Sequence, residues 1–117
     1  MQLPLQITFR HMDPSPAIEA RIRGRAEELD QFFDRITSCR VVVECGNKRH
    51  QQGKLFEVRV DLTVPGREIV VGRDSGANHA HEDAHVAVRD AFDAARRQLE
   101  DHARSHRAAA KLPAAPD

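Results

Sequence analysis

Six stretches of the chain show a regular pattern of apolar and polar residues, and the first two lie before residue 35. Leu5, Ile7 and Phe9 alternate with polar neighbours, which predicts a strand with one buried face. Ser15 and Pro16 then provide an N-cap residue and a proline suited to the first helical position. We therefore expect a first strand and then a first helix that ends near residues 33–34. Its apolar residues recur at helical spacing: Ile18, Ile22, Ala26, Leu29 and Phe33.

The middle of the chain predicts three more strands. Residues 36–45 and 56–64 are rich in β-branched side chains and alternate between apolar and polar positions. Between them, residues 46–53 are polar and bounded by glycines, which is typical of a loop. The Pro-Gly pair at 65–66 predicts a turn, so residues 69–71 can return as a short fourth strand antiparallel to the third.

The longest helix candidate runs from residue 81 to residue 104. After residue 104 the sequence shows no hydrophobic period and contains two prolines near its end. We therefore expect an ordered domain over residues 1–104 and a flexible tail over residues 105–117. The apolar stripe of the helix comprises Ala84, Val88, Ala91, Phe92, Ala95 and Leu99.

The predicted order of elements is β-α-β-β-β-α, which belongs to the α+β class. Because each long strand is apolar on one face only, both helices should pack on that face of a four-stranded sheet. The expected architecture is a two-layer sandwich whose other sheet face is open and polar. Double-stranded RNA-binding domains share this outline.

Composition limits the functions that such a domain can serve. The 117 residues carry 18 basic and 18 acidic side chains, so any surface for nucleic acid has to be local. The absence of Trp and Tyr, with five Phe, argues against a base-stacking platform and favours contacts to phosphates if RNA is bound. No apolar run is long enough for a membrane span and no secretory signal pattern occurs, so we expect a cytoplasmic protein without a membrane partner.

The two cysteines have a simple interpretation. Cys39 and Cys45 lie in the predicted second strand, and at about 3.3 Å per residue they are roughly 20 Å apart, too far for a disulfide with each other. Both fall on the apolar side of that strand. This predicts small buried side chains without a redox or metal-binding role.

One motif offers an enzymatic alternative. His81, Glu82 and His85 match the H-E-x-x-H pattern of zinc-dependent hydrolases, in which both histidines lie on one face of a helix. No third ligand follows at a recognised spacing, and the sequence has neither a glycine-rich phosphate loop nor a recognisable nucleophile context. We therefore expect a protein that is not an enzyme and uses no cofactor or small-molecule substrate, with a small zinc-dependent hydrolase as the alternative.

Basic residues are grouped on the flanks of both helices and in the loop between the second and third strands. Ion pairs with carboxylates one turn away would make these groups ordinary solvated surfaces. The functional alternative is a phosphate-binding surface, for example that of a generic double-stranded RNA-binding module. The groups are Arg21 and Arg25 on the first helix, Lys48, Arg49 and His50 in the loop, and His85, Arg89 and Arg96 on the second helix.

Several segments, taken in order, match a known family. They are Phe9–Met12 with Ile18–Ile22, Leu29–Ile36, Asn47–His50, Val64–Gly66, and His81–Val88 with Arg96–Leu99. Together they resemble the short ribosome hibernation-promoting factors and ribosome-associated translation inhibitors, of the sigma-54 modulation protein type, over about residues 5–104. The resemblance implies the same β-α-β-β-β-α fold. The family usually has an aromatic residue where His85 stands.

The resemblance implies a bacterial, cytoplasmic RNA-binding protein of the stress response that silences idle ribosomes. It implies binding to the 16S rRNA of the small ribosomal subunit near the decoding centre, where the protein sterically blocks the tRNA and mRNA sites. It does not imply self-association, for which the long form uses a further domain. The RNA-binding residues implied by the resemblance, with His85 added from the basic flank, are Arg21, Arg25, Lys48, Arg49, His85, Arg89, Arg96 and Arg97.

Overall fold

The computed structural model describes residues 4–46, 55–72, 80–81 and 83–111. The order of the main elements is the predicted β-α-β-β-β-α, with one additional two-residue strand before the last helix. The strands are β1 (Leu5–Arg10), β2 (Ser38–Gly46), β3 (Leu55–Val64), β4 (Arg67–Val71) and β5 (Ala80–His81), and the helices are α1 (Pro16–Phe32) and α2 (Ala84–Lys111). The predicted α+β class is confirmed.

The strands form one mixed sheet in the order β1-β2-β3-β4. Strands β1 and β2 are parallel, as the α1 crossover between them requires, whereas β2 with β3 and β3 with β4 are antiparallel. Strand β4 pairs only with residues 60–64 of β3, which leaves the first residues of β3 open at that edge. Strand β5 occupies this space by pairing with Phe56 and Glu57.

Helix α1 begins and ends where the sequence predicts. The Ser15 side chain accepts a hydrogen bond from the Ile18 N–H at 3.3 Å, and Pro16 occupies the first turn. At the other end, the N–H of the C-cap residue Phe33 donates to the Leu29 carbonyl at 2.8 Å. The expected N-cap residue and the expected end near residue 33 are therefore confirmed.

Helix α2 begins later than the sequence pattern predicted. Asp83 caps it, because its carboxylate accepts a hydrogen bond from the His85 N–H at 2.8 Å and its carbonyl accepts one from the Ala87 N–H at 3.1 Å. His81 lies in β5, opposite Phe56. A helix that starts at residue 81 is therefore wrong, since residues 80–81 complete the edge of the sheet instead.

Helix α2 also extends past the predicted end near residue 104. Its backbone remains helical to Lys111. The three alanines at 108–110 explain this extension, because alanine has the strongest helix propensity and the first proline comes only at residue 113. Residues 112–117 of the predicted tail lie outside the described residues.

Both helices pack on the same face of the sheet, as predicted. The side chains of Val41, Val60, Ile22 and Leu99 are completely buried in one core that both layers share. Cys39 and Cys45 are buried, which confirms the interpretation of the cysteines as small core residues. In the described part of the chain, neither helix is long and apolar enough to cross a membrane.

Candidate functional site

The two helices lie side by side and run in the same direction. One Arg25 Nη atom is 4.0 Å from an Asp93 carboxylate oxygen. Farther along both helices, the Arg96 guanidinium lies 4.5 Å from the centre of the Phe32 ring. Next to it, the Phe33 and His102 rings are in contact, with their centroids 5.8 Å apart. Residue numbers rise together in these pairs, so the helices are parallel. We call the exposed surface between them the helix seam; it comprises Arg21, Arg25, Phe32, Arg89, Asp93 and Arg96.

Four of the predicted RNA-binding arginines converge on the helix seam. Arg25 faces Asp93 across the seam. Arg21 precedes Arg25 by one helical turn, and Arg89 precedes Asp93 by one turn, so Arg21 and Arg89 lie at the same level of the two parallel helices. Arg96 lies farther along, over Phe32. The two basic flanks that the sequence shows separately thus form one surface.

Three of these arginines have carboxylate partners close by on their own helix. Arg25 is 3.6 Å from Glu28, Arg89 is 3.2 Å from Asp90, and Arg96 is 3.5 Å from Glu100. At least one side chain in each pair is well exposed, and such surface pairs contribute only about 0–1 kcal/mol. A phosphate group that approaches the seam can therefore compete for these arginines.

Two of the predicted RNA-binding arginines have no ion-pair partner among the described residues. Arg21, in the seam, and Arg97, on the outward side of α2, are both exposed. A phosphate bound by either of them does not have to displace an intramolecular carboxylate. The structure therefore combines paired and unpaired cations on one side of the molecule.

His85 differs from the arginines in its surroundings. It lies in the first turn of α2, its side chain is partly buried, and its Nδ1 atom is buried without a hydrogen-bond partner among the residues that the structure describes. The side chain is thus held at the start of the helix rather than extended into solvent. The remaining predicted residues, Lys48 and Arg49, lie outside the described residues.

The structure adds Phe32 to the surface that sequence reasoning identified. Among the large apolar side chains of the described ranges, Phe32 is the exposed one, with 38% of its surface accessible. The helical spacing of α1 assigns Phe33 to the apolar row, and Phe33 does pack against the core. The sequence does contain a signal for Phe32, because this residue is apolar but does not belong to the apolar row of its helix.

The zinc alternative loses its geometric basis. The H-E-x-x-H pattern needs both histidines on one helical face, but His81 lies in strand β5 and the helix begins only at Ala84. Within residues 4–46, 55–72, 80–81 and 83–111, no group of three or more His, Cys, Asp or Glu side chains is arranged to hold a metal ion.

The opposite face of the sheet carries mixed charges that neutralise one another. The nearly buried Asp61 carboxylate lies 3.7 Å from Arg40 and 3.4 Å from Arg59. On the core side of the sheet, burial raises the pKa of the Cys39 thiol to about 12, and the negative charge of Asp61 adds to this rise. Among the residues that the structure describes, this face offers no unpaired basic cluster, and the Cys39 thiol is not a reactive nucleophile.

Comparisons with known proteins agree with this architecture. The model of the family described as sigma 54 modulation protein / S30EA ribosomal protein matches residues 5–107. A ribosomal subunit interface protein from Coxiella burnetii superposes with a TM-score of 0.66 at 19% identity, covering 86% of this chain and 97% of that chain. The N-terminal domain of Thermus thermophilus Protein Y gives a TM-score of 0.66 at 17% identity, covering 87% of this chain and 99% of that chain. No curated protein matches the chain.

Proposed function

Since the chain belongs to the sigma 54 modulation protein / S30EA ribosomal protein family, we propose that it binds 16S rRNA of the small ribosomal subunit near the decoding centre. The family is one of ribosome-associated proteins, so the ribosome is the partner of this chain. The proposed outcome is translation inhibition during hibernation, because a protein bound there sterically blocks the sites for tRNA and mRNA.

The helix seam is the observation that carries this proposal. The chain has no formal net charge, yet Arg21, Arg25, Arg89 and Arg96 lie together along two adjacent helices. Ribosomal RNA presents closely spaced phosphates, and a local cluster of arginines suits such a surface better than scattered lysines would. Arg97 beside the seam, His85 at the start of α2, and Lys48 and Arg49 of the loop are the further proposed contacts.

The proposed mechanism needs binding and no bond chemistry. Arginine can donate two parallel hydrogen bonds to a phosphate. The Arg25–Glu28 and Arg96–Glu100 pairs, at 3.6 and 3.5 Å, are longer than such bonds. Exchange of these carboxylates for phosphates therefore favours the complex. Because each phosphate contact releases counterions, binding should weaken steeply as salt rises.

The test is co-sedimentation of the full chain with purified small subunits over a series of salt concentrations. In the seam variant, Arg89→Glu and Arg96→Glu are combined. A control variant combines Arg23→Glu, on the opposite flank of α1, with Arg67→Glu on the edge strand β4, so that the net charge changes by the same amount. Both control residues are exposed.

The seam variant should bind at least about 100-fold more weakly, since two charge-assisted contacts are worth about 3 kcal/mol or more together. Its plot of log affinity against log salt should also become shallower by about 0.7 for each lost phosphate contact. The control variant should bind almost as well as the wild type. Equal loss in both variants would show that net charge, rather than the seam, governs binding.

Two further measurements test where on the small subunit the protein binds and how specific the binding is. The bound protein should lower tRNA binding to the small subunit, whereas the seam variant should not. A long RNA duplex of unrelated sequence should compete poorly with subunits for the protein. Competition at comparable concentrations would instead identify a generic double-stranded RNA-binding module.

A further inference from the structure

We propose that Phe32 and Arg96 together form a stacking site for one unpaired base of the bound RNA. This inference rests on the proposed function and adds to it a contact to a base rather than to a phosphate. Phe32 is the last residue of α1 and is 38% exposed. The Arg96 guanidinium from α2 lies 4.5 Å from the centre of its ring.

Phe32 does not belong to the buried core or to the side chains packed against it. Its neighbour Phe33 supplies the apolar contact at this end of α1, where it packs against the core and meets His102. Phe32 instead lies on the helix seam, where it contacts a charged side chain. An aromatic ring in contact with an arginine offers a ligand both a flat apolar face and a positive charge, which suits a nucleotide.

Arg96 is held in a position that suits stacking. Its Nε atom lies 3.5 Å from a Glu100 carboxylate oxygen, one turn farther along α2, while its guanidinium lies over the Phe32 ring. Both side chains are thus positioned before any ligand arrives, which lowers the entropy lost on binding. A flat ring and a flat guanidinium are the two surfaces on which proteins stack unpaired bases.

The surroundings select a nucleotide over other flat ligands. Arg25 lies about two turns before Phe32 on the same flank of α1, and Arg89 lies about two turns before Arg96 on α2. A base that stacks at Phe32 can therefore keep its neighbouring phosphates on the arginines of the seam. The small number of aromatic residues in the chain argues against an extended platform, and one exposed phenylalanine accommodates a single base.

The absence of tryptophan from the chain makes this site directly observable. Phe32→Trp creates a protein with a single tryptophan in the stacking site, and Thr63→Trp creates one on the opposite, open face of the sheet, where Thr63 is exposed. The tryptophan emission of each full-length variant is recorded while small subunits are added, and the emission of the same mixture with the tryptophan-free wild type is subtracted. Stacking on a base should strongly quench the emission of the Phe32→Trp variant and leave that of the Thr63→Trp variant unchanged.

Two affinity measurements accompany the fluorescence experiment. Phe32→Leu removes the aromatic face but not the bulk, and should lower affinity for small subunits by roughly 10- to 100-fold, as expected for loss of one stacked base. Arg96→Lys keeps the charge but loses the planar group, so it should weaken binding more than Arg89→Lys does. Urea unfolding of each variant shows whether its fold is retained.

The outcomes separate this inference from the proposed function. If neither tryptophan variant co-sediments with small subunits while the wild type also fails to bind, the proposed function is wrong. If both variants bind but the Phe32→Trp emission is not quenched, the stacking site is overturned and the proposed function stands. A shift of the emission to shorter wavelength without quenching means burial against protein, and it also overturns the stacking site.

Discussion

Replacement of Gly72 by alanine should destabilise this protein more than the same substitution at either of two other glycines. Gly72 directly follows β4 and has a φ of 87°, in the left-handed region. A Cβ atom at this position would lie 2.6 Å from the Val58 carbonyl oxygen and 3.2 Å from the Arg59 Cα atom. These atoms belong to the backbone of β3 where Val58 and Arg59 are paired with Val43 and Val42 of β2, so this part of the strand cannot move away alone.

The cost has two parts. The left-handed conformation costs a residue with a Cβ about 1–2 kcal/mol. Forcing the extra carbon into a packed position typically costs about 1–3 kcal/mol more. We therefore expect Gly72→Ala to lower the free energy of unfolding by about 3 kcal/mol, a large share of the roughly 5–15 kcal/mol that a domain has.

Two glycines serve as matched controls. Gly66, in the turn after Pro65, has a φ of 80° but open space around an added Cβ, so Gly66→Ala should cost only the conformational part of about 1–2 kcal/mol. Gly24 lies within α1 and also has open space, so Gly24→Ala should stabilise the protein by about 1 kcal/mol.

The assay is urea unfolding followed by circular dichroism, with the free energy of unfolding extrapolated to water. The denaturant dependence should be the same for all variants, because the same surface is exposed on unfolding. If Gly72→Ala costs no more than Gly66→Ala, the contact with the Val58 carbonyl does not constrain the fold.

Two further predictions concern the N-cap and the buried thiol. Ser15→Ala should lower the free energy of unfolding by about 1 kcal/mol because the Ile18 N–H loses its acceptor, and Ser15→Asp should restore most of it; equal stability of all three proteins in urea would contradict this. The Cys39 thiol has its pKa raised to about 12 by burial, so it should resist thiol reagents at pH 8 until urea is added. The folded thiol keeps its proton up to about pH 12, whereas the thiol of the unfolded chain loses it at about pH 8.5. The free energy of unfolding should therefore fall as the pH rises from 8.5 towards 12, and this fall should be smaller in the Cys39→Ala variant.

Local patterns were enough to predict most elements of this fold. The alternation in β2 and β3 and the Pro-Gly turn before β4 depend on neighbouring residues alone, and the structure confirms them. The start of α1 is equally local, since Ser15 bonds to a backbone group three residues away.

The start of α2 could not be predicted in this way. Residues 80–81 form a strand because β4 leaves the first part of β3 unpaired, and this opening exists only once the sheet has assembled. The helical pattern therefore predicted a start for α2 that was too early in the chain. Of the two histidines that match the zinc motif, His81 lies in a strand and His85 lies in the helix. Backbone pairing with a distant strand outweighed the local pattern.

For the candidate site, helical spacing is enough to predict which arginines share a flank of each helix, and it places Arg21 with Arg25 and Arg89 with Arg96. That these flanks face one another follows from the packing of the helices, since two helices can pack side by side in either direction. The contact of Phe32 with Arg96 is likewise a result of this packing. Helical spacing gives only the direction in which each side chain points from the axis of its own helix. The position of α1 relative to α2 is set when the apolar stripes of both helices are buried on the same sheet. That packing creates the surface that we propose to bind RNA.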